Sequence, residues 1–291
     1  MKSPFARLLV LLLCLSCRLT ATAQDRHICT LEEKIQIEKD TSFTVQTTVC
    51  LQTGNAEVRY PVFYDQELEH ISAINVYLKK GKRFKLLKKP EIADEQLQID
   101  DISSKRIRAV LIPPQTFAKI EYTVACNELM YLSSLRFFSY DDIDTMRYEL
   151  TVPDEFHFSG DKVYTDSLKY LSVDSLKTVG STTWRIEAVP VKVEPDLLMI
   201  FGIYKNIKAP LMRTIVVPAS YQNREREYLN NWYLDNVEAQ RGLDSLTRLR
   251  IDELTKQLTD PVELMDTLYS FVKMNFKYFG ICFSNIYSVL L

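Results

Sequence analysis

Glycine is scarce in this chain, with 7 residues among 291. The glycines form neither the G-x-G-x-x-G pattern nor the phosphate-loop pattern, which excludes the two commonest sequence routes to nucleotide binding. Histidine is scarcer still. The chain has 3 histidines, His27, His70 and His157. They lie far apart and share no zinc-binding spacing with the cysteines. The sequence therefore predicts neither a cofactor nor a metal site.

An excess of charge of either sign is also lacking. The 36 Lys and Arg residues nearly balance the 38 Asp and Glu residues, and the formal net charge is -2. Such a chain has no overall attraction for nucleic acid or for an anionic membrane. We therefore do not expect nucleic acid as a partner.

The amino terminus has the three parts of a secretory signal peptide. Lys2 and Arg7 supply positive charge, Leu8–Leu15 is an apolar run, and small residues precede Gln24. The run is too short to span a bilayer, which takes about 20 apolar residues. We predict a signal peptide over residues 1–23, cleavage between Ala23 and Gln24, no transmembrane segment after cleavage, and a mature protein in the periplasm or outside the cell.

The cysteines fit this location. Of the 6 in the chain, Cys14 and Cys17 lie in the signal peptide. A lipid anchor on Cys17 is the alternative to cleavage after Ala23, but the residues before Cys17 make a poor lipidation site. An oxidising compartment permits disulfides among the remaining four cysteines, and the sequence leaves all three full pairings open. These four are Cys29, Cys50, Cys126 and Cys282.

Residues 24–218 have the pattern of a β-sandwich. Apolar and polar residues alternate with period two over Phe43–Leu51, and a strand places such a series on one buried face. Similar short runs recur between turn residues, which is typical of an antiparallel sandwich or barrel. We predict a mainly β fold with an antiparallel two-sheet sandwich. We also expect Glu57–Tyr64 to form a hairpin with the Phe43–Leu51 strand.

Residues 219–291 have a helical pattern instead. Apolar residues recur at intervals of three and four, first around Trp232 and then around Leu249. A further helix is predicted to begin at Asp260 and Pro261, because an Asp cap, a proline at the first helical position and Glu263 mark one start. Its apolar stripe runs from Val262 to Phe276, and a buried strand is expected over Tyr278–Phe283.

These residues resemble a known family. The segment Arg106–Pro113, followed by Ile120 and Tyr122, resembles the domain of unknown function that precedes transglutaminase-like domains in exported bacterial proteins. The helices with Asp260 and Pro261, and the residues that follow them to Ile281, resemble the start of the transglutaminase-like α+β domain itself. The resemblance implies a cysteine enzyme whose catalytic Cys, His and Asp lie farther along the chain than Leu291. It therefore assigns no catalytic residue to this sequence.

Cys282 is the one cysteine in the helical portion, and a buried structural role is the expectation for it. It has apolar neighbours, no Gly-Asp before it and no histidine after it, whereas a reactive thiol needs an electropositive and partly exposed setting. We thus expect an exported, non-catalytic accessory module that binds a protein or a cell-wall peptide or glycan. The alternatives are a fragment of a periplasmic thiol enzyme and a free-standing adhesion or assembly module.

A dense basic stretch lies at the predicted turn around Gly81. Its residues could attract an acidic partner, or they could keep an exposed sheet edge in solution and protect it from pairing with other strands. The candidate partner patch consists of Lys80, Lys82, Arg83 and Lys85.

Overall fold

The computed structural model describes residues 26–96, 105–193, 209–238, 245–256 and 258–275. The predicted cleavage site at Ala23 and Gln24, the predicted strand Tyr278–Phe283 and Cys282 lie outside these ranges. The mainly β prediction is confirmed. In chain order the strands are β1 Arg26–Ile37, β2 Phe43–Thr53, β3 Val58–Asp65, β4 Glu69–Ile71, β5 Asn75–Lys80, β6 Arg83–Leu86, β7 Ile92–Gln96, β8 Lys105–Ile112, β9 Phe117–Cys126, β10 Leu135–Arg136, β11 Phe138–Ser139, β12 Asp142–Pro153, β13 Phe156–Val163, β14 Tyr170–Thr178, β15 Ser181–Val189, β16 Val191–Lys192 and β17 Leu211–Pro218.

One large sheet organises the described strands. It is 9-stranded, in the order β14-β15-β12-β1-β2-β9-β5-β6, with β4 also paired to β9. Two 3-stranded sheets, β3-β8-β7 and β10-β17-β13, and the 2-stranded β11-β16 complete the described sheets. Most neighbours are antiparallel, but β1 and β12 pair in parallel, as do β11 and β16. The sandwich is therefore mixed rather than wholly antiparallel.

The expected hairpin between β2 and the following strand is wrong. β3 pairs with β8 in a separate sheet, while β2 pairs with β1 and β9. The Thr53 hydroxyl at the end of β2 donates to the Pro113 carbonyl at 2.8 Å and accepts from the Thr116 amide at 2.8 Å. These bonds join the end of β2 to the turn before β9, and the next strand enters the second sheet.

Both three-stranded sheets cover the same face of the large sheet. The period of two places Leu31, Ile35 and Ile37 of β1 on that face, opposite Val49, Val45 and Phe43 of β2. One core forms under β3-β8-β7 and another under β10-β17-β13. Leu31 and Ile143 pack against both cores, so the two cores meet in the middle of the large sheet.

The basic stretch forms a hairpin at the predicted turn. β5 and β6 pair with Lys80 opposite Arg83, which leaves Gly81 and Lys82 as the turn. Gly81 has φ of +63°, the left-handed conformation that a two-residue hairpin turn of this kind requires and that glycine adopts without steric cost.

Three helices are described after the last strand: α1 Glu225–Glu238, α2 Ser245–Thr255 and α3 Pro261–Asn275. The predicted start of α3 agrees with the observed one, and the Asp260 carboxylate accepts from the Val262 amide at 3.1 Å. Part of the predicted buried stripe is exposed, because Val262 is 63%, Met265 68% and Val272 53% accessible. None of the described helices is both long and apolar enough to cross a membrane.

Candidate functional site

A cleft opens where the two cores meet, and we call it the central cleft. Its volume is about 160 Å³. Strands β1, β3, β10, β11 and β12 contribute walls, and the segment before β10 contributes two serines. The lining residues are Ile28, Leu31, Glu33, Tyr60, Ser133, Ser134, Arg136, Phe138, Ser139, Asp141, Ile143, Met146 and Tyr148.

Glu33 is the unexpected residue of the central cleft. It occupies a core-facing position of β1, in line with Leu31 and Ile35, and it is partly buried. Burial raises the pKa of the Glu33 carboxyl above its ordinary value of 4.5, while the positive charge of Arg136 opposes the rise. Removing a carboxylate from water is costly unless a partner compensates it, so Glu33 and Arg136 are electrostatically linked.

Phenols surround this pair. Tyr60 and Tyr148 are buried, and the Tyr148 hydroxyl donates to the Arg136 carbonyl at 2.6 Å. Burial and, to a smaller extent, the nearby Glu33 raise the pKa of Tyr122 to about 12, although hydrogen bonds to Thr47 and Tyr60 act in the opposite direction. All three phenols are therefore neutral at physiological pH and present hydroxyl groups rather than charges.

The rim of the central cleft has its own ion pair. Both Nε and one terminal nitrogen of Arg26 donate to the Asp141 carboxylate, at 2.8 and 2.5 Å. These side chains are 7% and 15% exposed, and Arg26 also stacks over the Tyr60 ring at 5.7 Å. A bidentate pair that water barely reaches fixes the rim more firmly than a surface ion pair would.

A second cluster lies on the outer face of the large sheet. The His27 Nε2 atom is 3.0 Å from a carboxylate oxygen of Asp144, and the ligand atoms of His27, Cys29 and Asp144 all lie within 4.8 Å of one another. Burial first, and then the charges of Asp144 and Cys50, raise the pKa of the Cys29 thiol. A nucleophilic cysteine needs a depressed pKa. The cluster therefore has the residue types of a catalytic thiol triad, but its surroundings disfavour the reactive thiolate.

A larger and more open groove, of about 620 Å³, lies between α2 and α3. Its walls include Arg250 and Leu254 of α2, and residues from Asp260 to Asp266 at the amino-terminal end of α3. Most of these side chains face solvent, so the groove lacks the buried polar groups that orient a ligand.

The structure places the predicted partner patch at the end of the large sheet. Lys80, Lys82, Arg83 and Lys85 are all exposed, and β6 is an edge strand. Cys29, Cys50 and Cys126 are free thiols in the described part of the chain.

Sequence reasoning missed the central cleft and the outer cluster. One signal was present for the cleft, because Glu33 interrupts an apolar series on one face of β1. The outer cluster gave none, since His27 and Asp144 are 117 positions apart and meet through the pairing of β1 with β12.

The sequence matches no family model and no curated protein. Among solved structures, the fold is similar to a protein of Parabacteroides distasonis that is provisionally assigned as a protease, with a TM-score of 0.62 and 9% identity. The alignment covers 91% of this chain and 55% of that chain, so this chain spans about half the length of that protein. At this identity the likeness shows the fold alone. A zinc metallopeptidase of the M1 family from Deinococcus radiodurans aligns at a TM-score of 0.31 and 8% identity, over 57% of this chain and 42% of that one.

Proposed function

We propose that this chain is an exported, non-catalytic β-rich module that binds a carboxylate-bearing peptide, from a protein or from the cell wall, in the central cleft. The observation that carries the proposal is the linked pair of Glu33 and Arg136 among neutral phenols. Charged side chains are rarely placed in a core without a role.

The charge of the central cleft favours a carboxylate over an ammonium group. Burial raises the pKa of the Glu33 carboxyl and so disfavours its charged form. Burial also lowers the pKa of Arg136, but an arginine keeps its charge at any physiological pH. Asp141 is already engaged by Arg26. The planar guanidinium is the charge that the cleft retains most firmly, and it suits bidentate binding of a carboxylate.

The size of the central cleft favours one chemical group rather than a whole small molecule. A volume of about 160 Å³ is below the roughly 300–1,000 Å³ of pockets that enclose small-molecule ligands. A side chain or a chain end of a peptide fits this space, with the rest of the peptide lying across the rim.

The electrostatics of the outer cluster support a non-catalytic role, because the Cys29 thiol is held in its protonated form. The fold shared with the Parabacteroides distasonis protein, over about half of that protein, suits an accessory portion of an enzyme of peptide bonds. We propose that the resemblance to transglutaminase-like proteins has the same origin, namely that this chain is the accessory portion of an enzyme that acts on peptide bonds. A fragment of a thiol enzyme is the second candidate, and a free-standing adhesion module the third.

Peptide binding tests the proposal. We expect the mature chain to bind the tetrapeptide Ala-Glu-Lys-Ala, and to lose at least about tenfold in affinity toward its fully amidated form, because a charged hydrogen bond contributes roughly 1.5–3 kcal/mol. Arg136→Met should weaken binding by a similar factor, whereas Glu33→Gln, which keeps the shape, should not. Isothermal titration calorimetry measures all four affinities.

Arg185→Met is the matched control, since Arg185 lies on β15 of the large sheet and is not among the residues that line the central cleft. Its side chain is 62% exposed and paired with Glu149. Equal affinity for the free and amidated peptides, or equal loss in the Arg185 and Arg136 variants, would contradict the proposal.

A further inference from the structure

The outer cluster has the chemistry of a metal site. Its three residues offer an imidazole nitrogen, a thiol sulfur and a carboxylate oxygen. Zn²⁺ accepts all three ligand types, whereas Ca²⁺ and Mg²⁺ prefer oxygen alone. We infer that His27, Cys29 and Asp144, together with Cys50, form a site for one zinc ion.

Two strand pairings assemble the site. In the parallel pairing of β1 with β12, Ile28 lies opposite Ile143 and Thr30 opposite Thr145, so Cys29 and Asp144 lie side by side between them. The same stretch of β1 carries a bulge in its pairing with β2, between Ile28 and Thr30. A bulge sets two residues of one strand against one residue of the other.

The bulge brings the fourth ligand to the site. Thr30 pairs with Cys50, and the extra residue Cys29 therefore also lies beside Cys50. A set of two cysteines, one histidine and one carboxylate gives the four-coordinate site that zinc adopts in structural positions.

For three of the four ligands, the distances require only small side-chain adjustments. Zinc bonds of about 2.0–2.3 Å in a tetrahedron place ligand atoms roughly 3.3–3.7 Å apart. The ligand atoms of His27, Cys29 and Asp144 are already within 4.8 Å of one another. The side chains of His27 and Asp144 are 45% and 60% exposed, so they can turn toward a metal without disturbing the core.

The charges around the site also favour its zinc-bound form. Zn²⁺ with two thiolates and one carboxylate carries a net charge of about −1. Lys119 lies opposite Cys50 in the pairing of β2 with β9, and it is paired with Glu121 at 2.6 Å. Its positive charge opposes a bare cation but stabilises the thiolates of the bound complex.

Cobalt and zinc titrations test the inference on the full mature chain after chelator treatment and reduction. We expect one equivalent of Co²⁺ to give thiolate-to-metal charge-transfer absorption and the visible bands of a tetrahedral complex, and one equivalent of Zn²⁺ to displace it. Cys29→Ser and His27→Ala should each weaken zinc binding more than about 100-fold, since even loss of outer partners costs 10–100-fold. Cys50→Ser should reduce the charge-transfer absorption by about half.

His70→Ala is the matched control, because His70 is an exposed histidine on β4 outside the site. Its zinc affinity should equal that of the parent chain, and circular dichroism on every variant separates loss of binding from loss of fold. Three results would each overturn the inference: no stoichiometric binding, binding indifferent to Cys29→Ser and His27→Ala, or a Cys29–Cys50 disulfide in the protein recovered from the exported fraction.

Discussion

Replacing Phe137 with alanine should lower the free energy of unfolding by about 3–5 kcal/mol. Phe137 is 0% exposed, and its ring meets the Tyr148 ring edge to face, with centroids 5.9 Å apart. Its amide donates to the Pro210 carbonyl, and its carbonyl accepts from the Val191 amide, both at 2.9 Å. The ring therefore fills the core at a point where the backbone already joins two other segments, and the surroundings cannot collapse into the space.

This loss is large beside a typical net stability of roughly 5–15 kcal/mol. Urea unfolding followed by circular dichroism measures it. Tyr131→Ala is the control, because Tyr131 lies six positions earlier, is 50% exposed and should change stability by no more than about 0.5 kcal/mol. Similar losses in the two variants would show that Phe137 does not occupy the core as described.

Arg136→Met should lower stability by about 2 kcal/mol at neutral pH, and Glu33→Gln should restore most of the loss in the double variant. Arg136 and Glu33 act on each other through their charges. Removing one partner of a fully buried ion pair costs roughly 3–5 kcal/mol, and we expect a smaller loss here because both side chains are only partly buried. The methionine keeps the aliphatic length of Arg136, and the backbone carbonyl that Tyr148 contacts is retained. The loss therefore reports on the charge that Glu33 is left to carry alone.

The same pair predicts a pH dependence. The pKa of Glu33 is raised in the folded state, so the folded chain binds this proton more tightly than the unfolded chain does. The tighter binding of this proton stabilises the folded chain. This contribution is fully present below 4.5, the ordinary pKa of the unfolded state, and is lost as the pH rises through the higher pKa of the folded state. The Arg136→Met penalty should accordingly shrink toward pH 4, and Glu33→Gln should flatten the profile. A penalty that is independent of pH and of Glu33→Gln would show that the two side chains are not coupled.

The sequence predicted features that depend on neighbours in the chain. The alternation in β2, the hairpin around Gly81 and the start of α3 at Pro261 follow from local patterns, and the structure contains all three. The pairing of strands was not accessible in the same way. The short turn after Thr53 indicated a hairpin, yet hydrogen bonds to residues about 60 positions away direct the chain into another sheet.

The candidate sites also combine residues that local sequence could indicate with residues that only the pairing of distant strands brings together. Glu33 could have been singled out, because a carboxylate in an apolar series needs compensation wherever that series is buried. Arg136 could not, since it reaches the cleft from the short strand β10, which belongs to a different sheet from β1. The cluster of His27, Cys29 and Asp144 likewise depends on the parallel pairing of β1 with β12, and no local pattern encodes such a pairing.

We propose that this chain binds peptides without converting them. The most direct measurement is mass spectrometry of Ala-Glu-Lys-Ala and of a glutamine-containing peptide with an added amine, each incubated at length with the mature chain under reducing conditions. We expect that both peptides keep their masses, and that Cys29→Ser and Cys282→Ser leave this result unchanged. Cleaved or cross-linked products that disappear with either substitution would contradict it and identify the chain as a thiol enzyme.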